Sequence, residues 1–259
     1  MPCKRGREMD DAGGTGMTRE IFEFFEFKEF SMRQGRSGQR INTDSCVFGD
    51  LLEAKDPRAT LDIGTGTGVL ALMMAAKFPS THITGIEINP EYAVLAAENF
   101  AGSPWASRLS LDVTAAQEFA KLAPGKFDLI ACNPPFFSGS TRSRHPDRAM
   151  ARHDDTLSPV ELAGVIRRIL APSGRVWILA AALDETKWIA ALKEAVDLDV
   201  SVRVELADNP GAFPHAVALC LDRVRDGAPV VISRRIDYRQ DRGGEKSPWM
   251  IGHRARWFP

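Results

Sequence analysis

Short apolar runs alternate along the chain with longer segments in which apolar residues recur every three or four positions. The short runs predict β-strands, and the longer segments predict α-helices. Strands are expected at residues 59–63, 82–88, 109–113, 127–132 and 175–181, and helices at 69–77, 90–100, 115–122, 159–170 and 185–195. This alternation predicts an α/β fold in which helices cover both faces of a mostly parallel sheet.

Two further strands, at 200–206 and 215–222, follow each other with no helix between them. We expect them to form an antiparallel hairpin at one edge of the sheet, because parallel neighbours need a long crossover connection. Before the sheet, aromatic and charged residues mostly alternate over 22–30, which predicts a strand or hairpin. Residues 31–38 are expected to form a turn, and a helical pattern covers 43–52.

No repeat or long linker divides the chain, so the patterns predict one domain with flanking segments. An N-terminal extension spans residues 1–57, and its first 16 residues are glycine-rich and polar, which predicts disorder. The α/β domain spans residues 58–232. The remaining tail, residues 233–259, is polar and arginine-rich.

The composition is that of an ordinary globular domain, with 44% apolar residues, 26% charged residues and a formal net charge of −1. No stretch approaches the roughly 20 apolar residues of a membrane-spanning helix, and the first residues lack the apolar run of a secretory signal. The four cysteines lack the spacing of a metal site: Cys3, Cys46, Cys132 and Cys220. We therefore expect free thiols in a cytoplasmic protein with no membrane or metal partner.

A glycine-rich segment, D-I-G-T-G-T-G at residues 62–68, follows an apolar strand and opens a helix. This is the context of a nucleotide-binding loop, since Gly64, Gly66 and Gly68 let the backbone turn tightly and let a ligand approach. About 20 residues further on, Glu87 ends the next strand, where a carboxylate can accept hydrogen bonds from both ribose hydroxyls.

The loop pattern alone does not decide between S-adenosyl-L-methionine and NAD, because residues 66–71 (G-T-G-V-L-A) also fit an NAD-binding fingerprint. Asp62 argues against NAD, since a carboxylate at the mouth of the loop would repel a pyrophosphate and attract the ammonium of a methionine moiety. Asp112, at the end of the third strand, can accept a hydrogen bond from the exocyclic amine of an adenine. These residues favour S-adenosyl-L-methionine, with a tight turn that binds no ligand as the remaining alternative.

The fourth strand of the sheet ends in N-P-P-F at residues 133–136, where ligands of open parallel sheets bind. An amino nitrogen conjugated to a ring or carbonyl is a poor nucleophile, because its lone pair is delocalised. The Asn133 side-chain oxygen and the Pro134 carbonyl can accept its two N–H bonds, and Phe136 offers a face on which a flipped-out base can stack. We predict that Asn133, Pro134 and Phe136 are the catalytic residues and act mainly by positioning the acceptor.

The glycine loop 62–68, Glu87, Asp112 and the N-P-P-F motif, in this order and spacing, resemble the amino-methyltransferase branch of the class I S-adenosylmethionine-dependent methyltransferases. Within that branch, other segments are similar to the bacterial tRNA adenine-N6 methyltransferases that modify valine tRNA next to the anticodon. These segments are F-K-E-F at 27–30, Gln34, R-I-N-T-D at 40–44 and A-R-H at 151–153. The resemblance covers roughly residues 23–222.

The resemblance implies a Rossmann-like class I methyltransferase fold with a seven-stranded sheet whose last strand is reversed. It also implies that Arg40 and Thr43 lie near the methionine carboxylate, so that residues 1–57 would include a cofactor clamp and 58–232 would be the methyltransferase domain. Phe136 departs from the family, where tyrosine is more frequent. The change keeps a stacking ring and removes a hydroxyl.

The net charge gives no sign of a polyanionic substrate, but the distribution of basic residues does, because they concentrate in a few segments. Four arginines follow the N-P-P-F motif, and we take Phe137, Arg142, Arg144 and Arg152 as candidate substrate-binding residues. The tail from Ser233 carries seven Lys or Arg against three Asp or Glu, together with Tyr238, Trp249 and Trp257. Cations that contact phosphates and aromatic rings that stack on bases are typical of an RNA-binding surface.

Three substrates are compatible with the sequence. The first is an adenine in RNA, most readily tRNA, methylated at N6. The second is a protein glutamine, whose amide nitrogen is delocalised in the same way. The third is a hydroxyl on a small molecule, which would need a general base or a divalent metal to remove its proton.

Overall fold

The structure is a computed structural model that describes residues 23–34, 41–123, 125–135, 157–223, 231–242 and 244–259. The strands are β1 (Glu23–Glu26), β2 (Ser31–Gln34), β3 (Ala59–Ile63), β4 (His82–Glu87), β5 (Leu109–Val113), β6 (Phe127–Cys132), β7 (Leu170–Ala181), β8 (Asp199–Ala207), β9 (Ala216–Asp222) and β10 (Ile232–Asp237). The helices are α1 (Thr43–Leu51), α2 (Val69–Lys77), α3 (Pro90–Ala101), α4 (Ala116–Leu122), α5 (Pro159–Ile169), α6 (Glu185–Val196) and α7 (Pro248–Trp257). The first 16 residues, for which disorder is predicted, lie outside the described ranges.

The main sheet has the strand order β10-β8-β9-β7-β6-β3-β4-β5. Strand β9 is antiparallel to β7 and β8, and the other neighbouring pairs are parallel. Strands β4 and β5 lie on one side of β3, and β7 to β10 lie on the far side of β6, so the strand order reverses between β3 and β6. The predicted α/β fold and the reversed strand of the class I methyltransferases are confirmed.

The sheet contains one more strand than the seven we expected. Strand β10 comes from the tail and pairs in parallel with β8, so the β8–β9 hairpin does not form the edge of the sheet. The predicted boundary between residues 232 and 233 falls inside this strand. The sequence of β10, I-S-R-R-I-D, gives a weak strand signal because four of its six residues are exposed and only Ile236 is buried in the core.

Two apolar clusters lie on opposite faces of the sheet. One cluster joins the sheet to α1, α2, α7 and the β1–β2 hairpin, and the other joins it to α4, α5 and α6. Side chains of a strand alternate between the faces, so that Leu129 packs in the first cluster and Ile130 in the second. Helices therefore cover both faces, as the sequence pattern predicts.

The N-terminal hairpin packs against the end of the chain. Strand β1 pairs with β2, which corrects the expected turn at 31–38 because a strand occupies its first four residues. The rings of Phe27 and Phe258 stack with their centroids 5.2 Å apart, and the Lys28 N–H donates to the Trp257 carbonyl at 2.8 Å. Aromatic packing therefore joins segments that are more than two hundred residues apart in sequence.

Trp257 packs inward, where it cannot stack on a base of bound RNA as the sequence pattern predicted, and Tyr238 and Trp249 are partly buried against the core. Trp257 is only 4% exposed, and Trp249 stacks on the ring of His253 at 5.3 Å. The buried His253 side chain meets Asp50 of α1 through Nδ1 at 3.0 Å. Helix α7 therefore serves as part of the core. None of the helices in the described segments is long and apolar enough to cross a membrane.

The burial of α7 predicts a contrast between two adjacent residues of this helix. Met250 is 1% exposed and Ile251 is 55% exposed. Met250→Ala should lower the free energy of unfolding by about 2–5 kcal/mol, because it removes a buried side chain and leaves a cavity. Ile251→Ala is the matched control and should change that free energy by about 0.5 kcal/mol or less. Urea denaturation measures both, and equal losses would contradict this packing of the tail.

Candidate functional site

The glycine loop, Glu87, Asp112 and Asn133 lie where β3, β4, β5 and β6 end. In register, Ile63 of β3 lies beside Cys132 of β6, so the glycine loop and Asn133 leave the sheet side by side. Asp112 of β5 lies beside Ile86, one residue before Glu87. This edge is the switch point of the sheet, where open α/β folds bind their ligands.

The glycine loop has the backbone of a ligand-binding turn. Gly64, Gly66 and Gly68 have φ values of 70°, 59° and 94°, which favour glycine over other residues. A Cβ added at Gly64 or Gly66 would meet no heavy atom within 4 Å, so open space adjoins the loop. A Cβ on Gly68 would lie 2.6 Å from the Phe100 ring, so packing against α3 also requires glycine there.

Asp62 lies beneath the loop and is fully buried, which differs from its expected place at the mouth of the loop. Its Oδ2 accepts a hydrogen bond from the Thr65 hydroxyl at 2.6 Å, and its Oδ1 has no hydrogen-bond partner in the described part of the chain. Burial raises the pKa of Asp62 to about 7, and the neighbouring charge of Glu87 adds to the rise. The site therefore contains a carboxyl group that a nearby cation would ionise.

Glu87 ends β4, as the sequence predicts, and ties the glycine loop to this strand. Its two carboxylate oxygens accept the backbone N–H of Gly66 at 2.8 Å and that of Asn89 at 2.9 Å. Each oxygen has a second lone pair with which to accept a ligand hydroxyl. Asp112 is exposed at the end of β5, which leaves its carboxylate accessible from the same edge.

Asn133 follows β6 and is held from outside the sheet. Its side-chain Nδ2 donates to the Ser45 hydroxyl in the first turn of α1 at 2.9 Å. Pro134 is buried and Pro135 is exposed. Ser45 is not predictable from local sequence, because no motif distinguishes a serine near the start of a helix from an ordinary helix-terminus residue.

Helix α1 begins at Thr43, two residues before Ser45, and its N-terminal end is anchored. Asp44 Oδ1 accepts from the Tyr238 hydroxyl at 2.6 Å and lies 3.2 Å from His215 Nε2. Burial opposes ionisation of Asp44, but the hydrogen bonds from His215 and Tyr238 outweigh it and lower the pKa of this carboxyl. The Asp44 hydrogen bond in turn raises the pKa of His215.

Several predicted site residues lie outside the described residues: Arg40, Phe136, Phe137, Arg142, Arg144 and Arg152. Among the residues that the structure describes, no group of three or more His, Cys, Asp or Glu side chains could hold a metal ion. Cys46, Cys132 and Cys220 are free and buried, and burial raises the pKa of each thiol.

Comparison with known proteins gives relatives for most of this chain. Residues 36–196 match the family model described as the methyltransferase small domain. A curated relative from Cytophaga hutchinsonii, named tRNA1(Val) (adenine(37)-N6)-methyltransferase, is 37% identical over 180 residues, 69% of this chain and 75% of the relative. A relative with the same name from Shewanella sediminis is 34% identical over 182 residues, 69% of this chain and 74% of its own length.

Solved structures share the fold at low sequence identity. A predicted O-methyltransferase from Agrobacterium tumefaciens, Atu636, aligns with a TM-score of 0.63 and 12% identity over 83% of this chain and 96% of that one. The TYW2 protein of P. horikoshii, solved in complex with MeSAdo, aligns with a TM-score of 0.55 and 13% identity over 78% of this chain and 71% of that one. The chain belongs to the methyltransferase small domain family and is an S-adenosylmethionine-dependent methyltransferase with the class I fold.

Proposed function

We propose that the protein transfers a methyl group from S-adenosyl-L-methionine to the N6 amino group of an adenine in tRNA. The observation that carries this proposal is the position of Asn133 and Pro134, which leave β6 directly beside the glycine loop that leaves β3. Two hydrogen-bond acceptors for an amine thus adjoin the space in front of a nucleotide-binding loop.

The described residues fit the cofactor. The open space at Gly64 and Gly66 leaves room for a ligand against the backbone, and Glu87 has lone pairs for ribose hydroxyls. The buried Asp62 carboxyl beneath the loop ionises when a cation approaches, and in that form it favours the ammonium of the methionine part. Asp112 is proposed to accept from the adenine amine, while Arg40 and Thr43 are proposed to contact the methionine carboxylate.

Bound S-adenosyl-L-methionine supplies a methyl group on a positively charged sulfur. Asn133 Oδ1 and the Pro134 carbonyl accept the two N–H bonds of the substrate amine and so orient its lone pair. Because the methylated nitrogen loses its proton readily, the residues need to supply orientation more than a strong base. Phe136 is proposed to stack on the flipped-out adenine, which must leave its neighbours to reach the site.

The choice of tRNA is supported by the curated relatives named tRNA1(Val) (adenine(37)-N6)-methyltransferase, which are 34–40% identical to this chain. We propose that Phe137, Arg142, Arg144 and Arg152 contact the RNA on the side of the N-P-P-F motif. With tRNA as substrate, the reaction would take place in the cytoplasm. A protein glutamine and a small-molecule hydroxyl are the two alternative methyl acceptors, and a labelling experiment separates them from tRNA.

The deciding experiment is transfer of labelled methyl from S-adenosyl-L-methionine to total tRNA of a strain that lacks the gene. Asn133→Ala is the matched variant and should lower turnover at least ~100-fold while cofactor affinity stays nearly unchanged, because the residue contacts the amine and not the cofactor. Digestion to nucleosides should place the label in N6-methyladenosine. Label in a protein fraction or a phenolic compound, with tRNA unlabelled, would contradict the proposed substrate.

Glu87 provides a separate test of the cofactor site. Glu87→Ala should weaken binding of S-adenosylhomocysteine by on the order of 1–3 kcal/mol, because charge-assisted hydrogen bonds to ribose are lost. Glu87→Gln keeps one acceptor oxygen for ribose but turns its NH2 towards the backbone N–H of Gly66 or Asn89, so it should also weaken binding. Isothermal titration calorimetry measures the dissociation constant of S-adenosylhomocysteine for both variants. Tighter binding of NAD than of S-adenosylhomocysteine to the unchanged protein would show that the loop takes a different nucleotide.

The raised pKa of Asp62, about 7, predicts proton release on cofactor binding. At pH 6.5 most Asp62 side chains are protonated, and a nearby ammonium lowers this pKa, so binding should release part of a proton. Affinity should therefore rise between pH 5.5 and about 7, before the ligand's own α-amino group titrates near 8. Calorimetry in buffers of different ionisation enthalpy counts the protons. If an Asp62→Asn variant releases as many protons as the unchanged protein on binding the cofactor, Asp62 is not the group that loses the proton.

A further inference from the structure

Asn133 presents a side chain with two similar ends, of which only one suits the proposed chemistry. The amide oxygen accepts a hydrogen bond from an amine, whereas the amide nitrogen would oppose one donor with another. A half-turn of the terminal torsion exchanges the two ends, and this torsion has a broad, two-fold profile. An asparagine that acts on an amino group therefore benefits from a neighbour that engages its nitrogen and leaves its oxygen free for the substrate.

The neighbour in this structure is Ser45, whose hydroxyl oxygen accepts from Asn133 Nδ2 at 2.9 Å. We propose that Ser45 is a positioning residue that holds the Asn133 amide with its oxygen directed at the substrate amine. This inference rests on the proposed methyl transfer to nitrogen and names a residue outside the glycine loop and the N-P-P-F motif. Ser45 itself touches neither substrate nor cofactor in this role.

The position of Ser45 is determined by the start of α1. The Asn42 side chain caps the helix and accepts the Ser45 backbone N–H at 2.7 Å. Ser45 is 7% exposed, so water competes little for its hydroxyl. The cap therefore fixes the backbone of Ser45, and burial favours its bond to Asn133.

Contacts from the other half of the chain hold the same end of α1. Asp44 is bonded to the Tyr238 hydroxyl and lies beside His215, which stands just before β9. Six residues after Asp44, near the other end of α1, Asp50 Oδ2 lies 3.0 Å from His253 Nδ1 of α7. Helix α1 is thus held at both ends, and its Ser45 hydroxyl has a defined place relative to β6.

The kinetic test compares Ser45→Ala with the unchanged enzyme on tRNA. We expect kcat to fall about fivefold, as for the loss of one neutral hydrogen bond, with the KM values for cofactor and tRNA unchanged. Ser45→Thr retains a hydroxyl and should recover most of kcat. Ser201→Ala is the control. The Ser201 hydroxyl also donates hydrogen bonds, to the Cys220 carbonyl and to Asp222, but it lies near the start of β8, at the end of the strands opposite the site. A rise in KM with kcat unchanged would overturn the proposal.

A double-mutant cycle separates positioning from general structural support. In the Asn133→Ala background there is no amide to orient, so Ser45→Ala should cause no further loss of kcat. A further fivefold loss would show that Ser45 acts by another route. Urea denaturation of each variant identifies any that fails to fold, and Ser45→Cys, a smaller change in shape, then replaces Ser45→Ala in the cycle.

A measurement without substrate tests the role of Ser45 independently of the proposal that tRNA is the methyl acceptor. In protein labelled with ¹⁵N, the Asn133 side-chain resonances are assigned by their loss in Asn133→Ala. Ser45→Ala should shift these resonances, and Ser45→Thr should restore them towards their original positions, whichever acceptor the enzyme uses. Unchanged resonances in Ser45→Ala would overturn the proposal even if tRNA is methylated. Shifted resonances with unlabelled tRNA would sustain the positioning role and contradict only the substrate.

Discussion

The site depends on the parallel pairing of β3 with β6, two strands that lie more than sixty residues apart in the chain. In this pairing Ile63 stands beside Cys132, and each strand ends immediately afterwards. The backbone that leaves β3 forms the glycine loop, and the backbone that leaves β6 carries Asn133. Because the strand order reverses here, the described helices that follow the two strands, α2 after β3 and α5 after β6, cover opposite faces of the sheet. A shift of register by one residue would exchange the faces of the β6 side chains and displace Asn133, the proposed catalytic residue, relative to the glycine loop.

A second layer of contacts supports this arrangement from outside the sheet. Helix α1 presents Ser45 to Asn133, and residues from the C-terminal half, Tyr238 and His215, bond to Asp44 one position earlier. The carboxyl group of Asp44 is mostly shielded from water, so its two partners offset the cost of burying a charge. The tail and the site are thus parts of one structure, although the family model ends at residue 196.

Local patterns predicted the elements that are periodic or carry a compact motif. The alternation of strands and helices, the loop at 62–68 and the asparagine at the end of β6 all have signals within a few residues. Strand β10 has no such signal, because a mostly exposed edge strand shows little periodicity. The partners of Asn133 and Asp44 are fixed by tertiary contacts, which local sequence does not encode. The inward packing of Trp257 was missed for the same reason, since composition does not distinguish a basic surface from a basic segment with buried aromatics.

The contact between the N-terminal hairpin and the tail has a consequence for synthesis of the protein. Lys28 Nζ donates to the Ala255 carbonyl, 227 residues later, and Phe27 stacks on Phe258. A ribosome releases these late residues only after the rest of the domain has emerged, so the hairpin waits for its partner during translation. Phe27 lacks its Phe258 partner for that time, whereas its stacking on Phe30 and the contact of Phe30 with Trp105 do not depend on the tail. The last segment of the domain to be synthesised therefore completes the packing of its first strands.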